Sequence, residues 1–233
     1  MPVNYSRKIV CLANSRKPPS GRCVAGREVL ENGYGGWIRP VSVRPSAEIS
    51  LEERRYESGR DPQILDVVNI PMIAPVPRVH QTENHMIDAE HYWTKEAALT
   101  WADLPALVET PASLWLNRDS TYHGTNDCVA PALAAQLTSS LFLIRPETLN
   151  VQVQTEGGMF GRAKKRVRAD FRYHGTGYNF IVTDPVAEQA FLPRDEGVFP
   201  LNNAYLCVSL TEPYDGDGRC HKLVATIISE QPL

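Results

Sequence analysis

The stretch from Arg162 to Asp184 constrains the fold of this chain most strongly, because its charges alternate with apolar residues at a period of two. Successive side chains of a β-strand point to opposite faces, so this pattern predicts a strand with one cationic face and one core-facing side. Residues 174–177 then form a turn into a second strand at 178–182, which predicts a β-hairpin. The face suits an anion, although a solvated outer face of an ordinary sheet is the alternative interpretation. Its even positions are Arg162, Lys164, Arg166, Arg168, Asp170 and Arg172, opposite Val167, Ala169, Phe171 and Tyr173.

The prolines and glycines, 18 and 15 of 233 residues, favour short strands and turns over long helices. We therefore predict a β-rich fold, all-β or α+β, in two domains. A net charge of −3 excludes a protein that is basic overall, so any site for a polyanion must be a local patch.

No segment approaches the ~20 apolar residues that span a bilayer, and the N-terminus lacks the apolar core of a signal peptide. We expect a cytoplasmic protein with no membrane contact. The five cysteines form no CxxC pair, which predicts free thiols. No phosphate-binding glycine motif or zinc-ligand spacing occurs, so we expect no cofactor and no metal.

Strand-like runs dominate both ends of the chain, whereas residues 75–138 contain tryptophans and helix formers. The predicted domains are residues 1–139, with a helical insertion at about 75–138, and residues 140–233. The insertion includes an alanine-rich helix at 129–137, and its tryptophans are expected in the core. Five or six strands in the last part of the chain fit a small closed barrel.

Seven short strings are spread along the chain in a fixed order: CLANSRK at 11–17, GRCVAG at 21–26, GWIRPVS at 36–42, QTEN at 81–84, VTDP at 182–185, SLTEP at 209–213 and HKLVA at 221–225. Together they resemble the bacterial dual OB-containing domain family. The resemblance implies two OB-like barrels that bind nucleic acid or nucleotides. It also implies a link to prokaryotic conflict, or defence, systems and a partner protein from such a system. It brings no catalytic residues and does not define the oligomeric state.

An OB barrel binds single strands with a cationic groove and with aromatic side chains on which bases stack. Trp37 and Arg39 share one face of a predicted strand. In the alternative interpretation, Trp37 lies in the core and Arg39 pairs with an acid such as Glu28. Tyr178 is the predicted stacking residue of the second barrel. We therefore predict a nucleic-acid-binding module for single-stranded or structured RNA or DNA. Its candidate residues are Asn14, Ser15, Arg16, Lys17, Arg22, Trp37, Arg39, Arg166, Arg168, Arg172 and Tyr178.

Two other functions stay open. A small-nucleotide sensor needs a pocket of convergent polar groups, for which Asn14, Ser15, Arg16, Lys17, Glu83, Asn84 and Lys222 are the candidates. The other open function is an enzyme that acts on nucleic acid or nucleotides. It would use Cys23 as nucleophile and His123, Asp127 or His174 as base, but no spacing identifies a triad.

Overall fold

The structure is a computed structural model that describes residues 4–158, 161 and 163–233. The chain forms two compact units, a first unit up to Leu107 and a second unit, Val108–Leu233. Residues 108–139, which the sequence assigned to the first domain, group with the second unit. Arg162, the first cation of the alternating run, lies outside the described residues.

The first unit is a sheet of six strands with two short helices. Its strands pair in the order β1-β2-β3-β5-β4-β6, and β4 also pairs with β1. The pairings therefore form a ring of five strands in which β3 and β5 are parallel. The elements are β1 (Tyr5–Lys17), β2 (Gly21–Leu30), β3 (Gly33–Val41), α1 (Leu51–Arg54), β4 (Asp66–Pro75), β5 (Asn84–Ile87), β6 (Thr94–Ala98) and a 3-10 helix (Trp101–Ala106).

Close strand packing in the first unit depends on a glycine. A Cβ at Gly26 would lie 1.9 Å from the carbonyl oxygen of Val10, so no larger residue fits there without moving the backbone. Helix α1 begins at a reciprocal cap, in which the Ser50 hydroxyl accepts from Glu53 N and the Glu53 carboxylate accepts from Ser50 N. The capping box predicted at residues 50–53 is confirmed.

The second unit repeats this order of elements. Three antiparallel strands (β9, β10, β11) are followed by a helix, an additional short strand (β12) and two further strands (β13, β14), and β11 is parallel to β14. The sheet order is β12-β9-β10-β11-β14-β13-β8, with β7 on β14. The elements are β7 (Cys128–Val129), α2 (Pro131–Ala134), β8 (Leu141–Ile144), β9 (Thr148–Glu156), β10 (Lys164–Tyr173), β11 (Thr176–Val182), α3 (Pro185–Phe191), β12 (Gly197–Pro200), β13 (Ala204–Pro213) and β14 (Cys220–Ser229).

The second sheet is open, where a closed barrel was expected. In the first unit the first and fourth strands of the repeated order, β1 and β4, pair with each other. Their counterparts β9 and β13 instead pair with β12 and β8, and no pairing joins β9 to β13 in the described part of the chain. The hydrogen-bonding edges that would close the ring are therefore occupied by two additional strands.

Asp184 ties helix α3 to the sheet. One carboxylate oxygen accepts from Val186 N at 2.9 Å, which caps the helix, and the other accepts from Ile227 N at 3.0 Å. Burial raises the pKa of this carboxyl, against the lowering effect of those backbone hydrogen bonds. The side chain therefore links β14 to the start of α3.

The helical insertion predicted at about 75–138 is not present as such. This range holds strands β5, β6 and β7, a six-residue 3-10 helix, and α2, which is four residues long instead of the predicted 129–137. Pro105 lies within the 3-10 helix and Pro131 begins α2, and short segments of this kind do not sustain an α-helix without packing. Trp93 and Trp115 are in the core, as expected, whereas Trp101 is only partly buried. Among the described residues, no helix is long and apolar enough to cross a membrane.

The β-rich class with two OB-like sheets is confirmed by these strand orders. The predicted hairpin is confirmed too, since β10 and β11 pair in register from Arg168 with Ile181 to Tyr173 with Thr176. His174 and Gly175 both have positive φ, as a tight turn between two strands requires.

Candidate nucleic-acid interface

The ligand face of an OB barrel is formed by its second and third strands and by the loops between strands one and two and strands four and five. In the first unit these strands are β2 and β3, and in the second unit they are β10 and β11. The basic residues predicted from the sequence lie on these strands or at the adjoining end of the first strand. Both units therefore offer a candidate surface.

Strand β10 presents its even-numbered residues on the outside of the second sheet. The odd residues Val167, Ala169, Phe171 and Tyr173 belong to the hydrophobic core, so the predicted division of the two faces is confirmed. Lys164 and Arg172 are exposed, and Arg166 is partly exposed. Their register partners on β9 are Glu156, Thr148 and Gln154, respectively. The outer surface therefore combines these cations with two uncharged polar neighbours and with the carboxylates of Glu156 and Asp170.

Arg168 is not part of that surface, because it is only 5% exposed. Its Nε donates to Glu156 Oε1 at 2.6 Å, and its Nη1 lies 3.4 Å from Asn179 O and 3.8 Å from Asp127 Oδ2. Burial would raise the pKa of the Glu156 carboxyl, but the hydrogen bond from Arg168 contributes to holding that pKa below its usual value. A phosphate cannot reach Arg168, so its predicted contact is corrected to a structural role.

Tyr178 is buried as well, with 1% of its surface exposed. Its hydroxyl accepts from Asn117 Nδ2 at 2.8 Å, and its ring stacks on Phe171 with centroids 5.3 Å apart. A base cannot stack on a ring that is packed in the core. The prediction that Tyr178 stacks a base is therefore corrected, because its strand position turns it inward with the core residues.

An exposed aromatic side chain outside the predicted set belongs to a segment that pairs with β11, the strand next to β10. Tyr122 is 86% exposed and packs edge-on against His123, with ring centroids 4.8 Å apart. The segment that carries it is fixed to the sheet by two backbone hydrogen bonds between Thr125 and Asn179. The same four residues, Tyr-His-Gly-Thr, occur at 173–176, where the tyrosine is buried, so no local sequence signal distinguishes the exposed Tyr122.

In the first unit, the cations cluster where β1 turns into β2. Arg16 and Arg22 are register partners, and Lys17 is the partner of Gly21. The three cations are partly exposed, and the connecting residues 18–20 are exposed. This end of the sheet therefore corresponds to the loop between the first two strands of an OB barrel, which contacts ligands in that fold.

Asn14 and Ser15 precede this turn and make structural contacts. Asn14 Nδ2 donates to Pro62 O at 2.9 Å. Ser15 is buried, and its hydroxyl donates to Cys23 O at 3.4 Å. The two side chains therefore help to fix the end of β1, and the cations that follow are better placed for a ligand.

Trp37 lies on the outer side of the first sheet. It is the register partner of Arg27, whose Nε donates to Gly35 O at 2.7 Å. Trp37 is half-buried, whereas its neighbour Ile38 belongs to the core. An indole beside a guanidinium is an arrangement that can stack a base and contact its phosphate.

Arg39 is buried, which corrects its predicted ligand contact. Its Nη2 forms an ion pair with Glu83 at 3.1 Å, and its backbone N donates to Glu83 O at 2.8 Å. The acid suggested as its partner, Glu28, instead pairs with Arg7 at 2.8 Å. The side chain of Arg39 therefore holds the segment before β5 against β3.

Lys222 and Asp127, which were candidates for the two alternative functions, are also buried. Lys222 Nζ donates to Leu116 O at 2.8 Å and to Asn117 Oδ1 at 3.2 Å, and burial lowers its pKa to about 8. Asp127, a candidate base, accepts from both N and Oγ1 of Thr121 at 2.6 Å. In the described ranges, no three His, Cys, Asp or Glu side chains are placed to bind a metal ion.

The strand orders and the position of the basic residues define a protein with two OB-like units. The sequence profile of the family described as dual OB-containing domain matches residues 7–227. The chain belongs to this family. No curated protein and no solved structure matches it.

Proposed function

We propose that the protein binds single-stranded RNA or DNA across the outer face of β10. The observation that carries this proposal is that Lys164, Arg166 and Arg172 reach the same outer face of an OB second strand. Residues on a strand rise about 3.3 Å each, so Lys164 and Arg166 lie about 7 Å apart and Arg172 lies about 20 Å beyond Arg166. The cations can therefore contact phosphates at two positions along a nucleic-acid backbone. Tyr122, in the segment that pairs with β11 at Thr125, supplies an exposed ring on which a base can stack.

The charge balance supports a patch of limited size. Arg168 is compensated by Glu156 and Asp127, and Asp170 lies between Arg168 and Arg172 along the strand. The remaining attraction comes from the row of three exposed or partly exposed cations. We therefore expect about two or three phosphate contacts from this surface.

The test is fluorescence anisotropy with a labelled ~20-nucleotide single strand over a salt series, a length that covers one or two OB sites. Each lost phosphate contact lowers the slope of log affinity against log salt by ~0.7, so Arg166→Gln with Arg172→Gln should lower it by ~1.4. The matched control is Arg44→Gln with Arg60→Gln, which removes two cations from the first unit and none from β10. If the first double variant behaves like the wild type, β10 is not the site.

The same assay compares the two units. Replacing Arg16 and Lys17 with Gln removes two cations from the turn after β1, and a larger loss of slope there would move the site to the first unit. A wild type that binds no strand but binds a mononucleotide, with a shallow salt dependence, would replace the proposal with the small-nucleotide sensor. Absorbance at 260 nm of protein purified at high salt shows whether either ligand is carried along.

We place this activity in the cytoplasm, because all five cysteines are free thiols and such thiols persist in a reducing compartment. The family resemblance further supports a role as a sensor in a prokaryotic defence system. Deleting the gene from its host and measuring survival under phage challenge tests that role.

A further inference from the structure

A groove of about 550 Å³ lies in the second unit, at the place where its sheet fails to close. One wall is the connection from β8 to β9, and the other is the connection from β12 to β13. The volume is within the range of small-molecule sites, about 300–1,000 Å³. Its polar lining includes Arg145, Glu147, Thr148, Asn150, Asn202 and Asn203.

The groove follows from the strand order. In the first unit, β1 and β4 pair directly and leave no space between them. In the second unit, β12 pairs with β9 and β8 pairs with β13, so the two connections diverge at this edge. The backbone of Asn203 has a positive φ, which turns the chain into β13 and forms one end of the groove.

The amides of the lining suit a ring with hydrogen-bonding edges. The side chains of Asn150 and Asn202 have no hydrogen-bond partner in the part of the chain that the structure describes, whereas Asn203 donates to Glu230 at 3.0 Å. An amide offers a donor and an acceptor together, as needed for the edge of a nucleobase. The lining also holds one carboxylate, that of Glu147, which accepts from Gly175 N at 3.1 Å, and one guanidinium, that of Arg145, so it carries no net positive charge that would select a phosphate.

The groove adjoins the proposed nucleic-acid surface. Thr148 and Asn150 lie on β9, where their register partners on β10 are Arg172 and Asp170. Neighbouring strands are about 4.8 Å apart, so a nucleotide whose phosphate contacts Arg172 has its base within reach of β9. The groove is therefore beside the row of cations and opens on the strand next to it.

We propose that this groove binds one unstacked base of the bound strand and gives the protein a preference among bases. This inference rests on the proposed function, since it needs a strand held along β10. The cations of β10 supply affinity that does not depend on sequence, and the amides of Asn150 and Asn202 supply the selection.

The experiment measures the affinity of the full chain for four labelled homopolymeric 20-mers at one salt concentration. The wild type should prefer one homopolymer by ~10-fold, which is the discrimination that one bidentate amide contact provides. Asn150→Ala with Asn202→Ala should reduce this ratio to less than about threefold while the salt slope stays unchanged, because no charge is removed. Both side chains are at least partly exposed, so the variant should fold.

The matched control is Asn32→Ala with Gln136→Ala, which removes two exposed amides outside the groove and should leave the preference intact. A wild type that binds all four strands equally overturns the inference and leaves the proposed function standing. A preference that survives in the groove variant also overturns the inference and leaves the proposed function standing. If the wild type binds no strand, the proposed function and the inference fall together.

Discussion

Replacing Arg168 with Gln should destabilise the second unit by about 3–5 kcal/mol, the usual cost of removing one partner from a buried ion pair. The side chain of Glu156 is 14% exposed and that of Asp127 is 5% exposed, so neither carboxylate can regain full hydration after the change. The strongest lost contact is the 2.6 Å hydrogen bond to Glu156. The neighbouring surface variant Arg166→Gln should change stability by no more than about 0.5 kcal/mol.

Urea unfolding, followed by circular dichroism and tryptophan fluorescence, measures this difference. Trp115 is the only tryptophan of the second unit and is buried, so unfolding of that unit changes its emission, while the other three tryptophans report on the first unit. Adding Glu156→Gln to Arg168→Gln should recover part of the loss, because it removes the uncompensated charge. A stability within about 0.5 kcal/mol of the wild type for Arg168→Gln would refute the assignment of a structural role to this arginine.

The effect should depend on pH. The pKa of Glu156 is lowered in the folded protein, so its ion pair adds stability above the usual glutamate pKa of about 4.3, and this stability is lost as the pH falls through the folded value. Without Arg168, burial raises that pKa instead. The stability difference between wild type and Arg168→Gln should therefore be larger at about pH 7 than at about pH 4, and equal differences at the two pH values would contradict the argument.

Three further changes test the scaffold by urea unfolding. Gly26→Ala should destabilise by more than about 1–3 kcal/mol, because its Cβ would lie 1.9 Å from a backbone oxygen, whereas Gly36→Ala meets no atom within 4 Å and should be almost neutral. Asp184→Ala should cost about 2–3 kcal/mol through the lost helix cap and an unsatisfied N–H, and Asp184→Asn should cost less. Because the pKa of Lys222 is lowered to about 8 in the folded protein, the unfolded chain binds more protons than the folded protein above about pH 8. Wild-type stability should rise relative to Lys222→Met between about pH 8 and pH 10, and a flat difference would contradict this.

The two faces of β10 could be predicted from the sequence because strand alternation is a local property. Val167 and Phe171 pack inward and Arg166 and Arg172 point outward, as the period of two requires. The capping box at Ser50 was predictable for the same reason, since both of its partners lie within four residues. The two OB-like units followed from the family resemblance, because the parallel pairing that defines them joins strands far apart in the sequence.

The sequence could not show which polar residues are covered by distant segments. Arg168 has the same pattern as Arg166, but the chain near Asp127 lies over it and removes it from solvent. Arg39 is covered in the same way by the segment at Glu83. Tyr178 occupies a core-facing position of its strand, and its hydroxyl finds a partner only through tertiary contact with residues far earlier in the chain. Burial of this kind depends on nonlocal contacts, which no local pattern encodes.

The hydrogen bonds of Lys222 and Tyr178 to residues before β8 determine where the chain can be cut. A fragment that begins at Ser140 would lack Leu116 and Asn117, and so would leave a buried ammonium and a buried hydroxyl without their partners. A fragment that begins at Val108 would keep them. Separate expression of the second unit, with or without an N-terminal tag, should therefore include the whole segment between these two starting points.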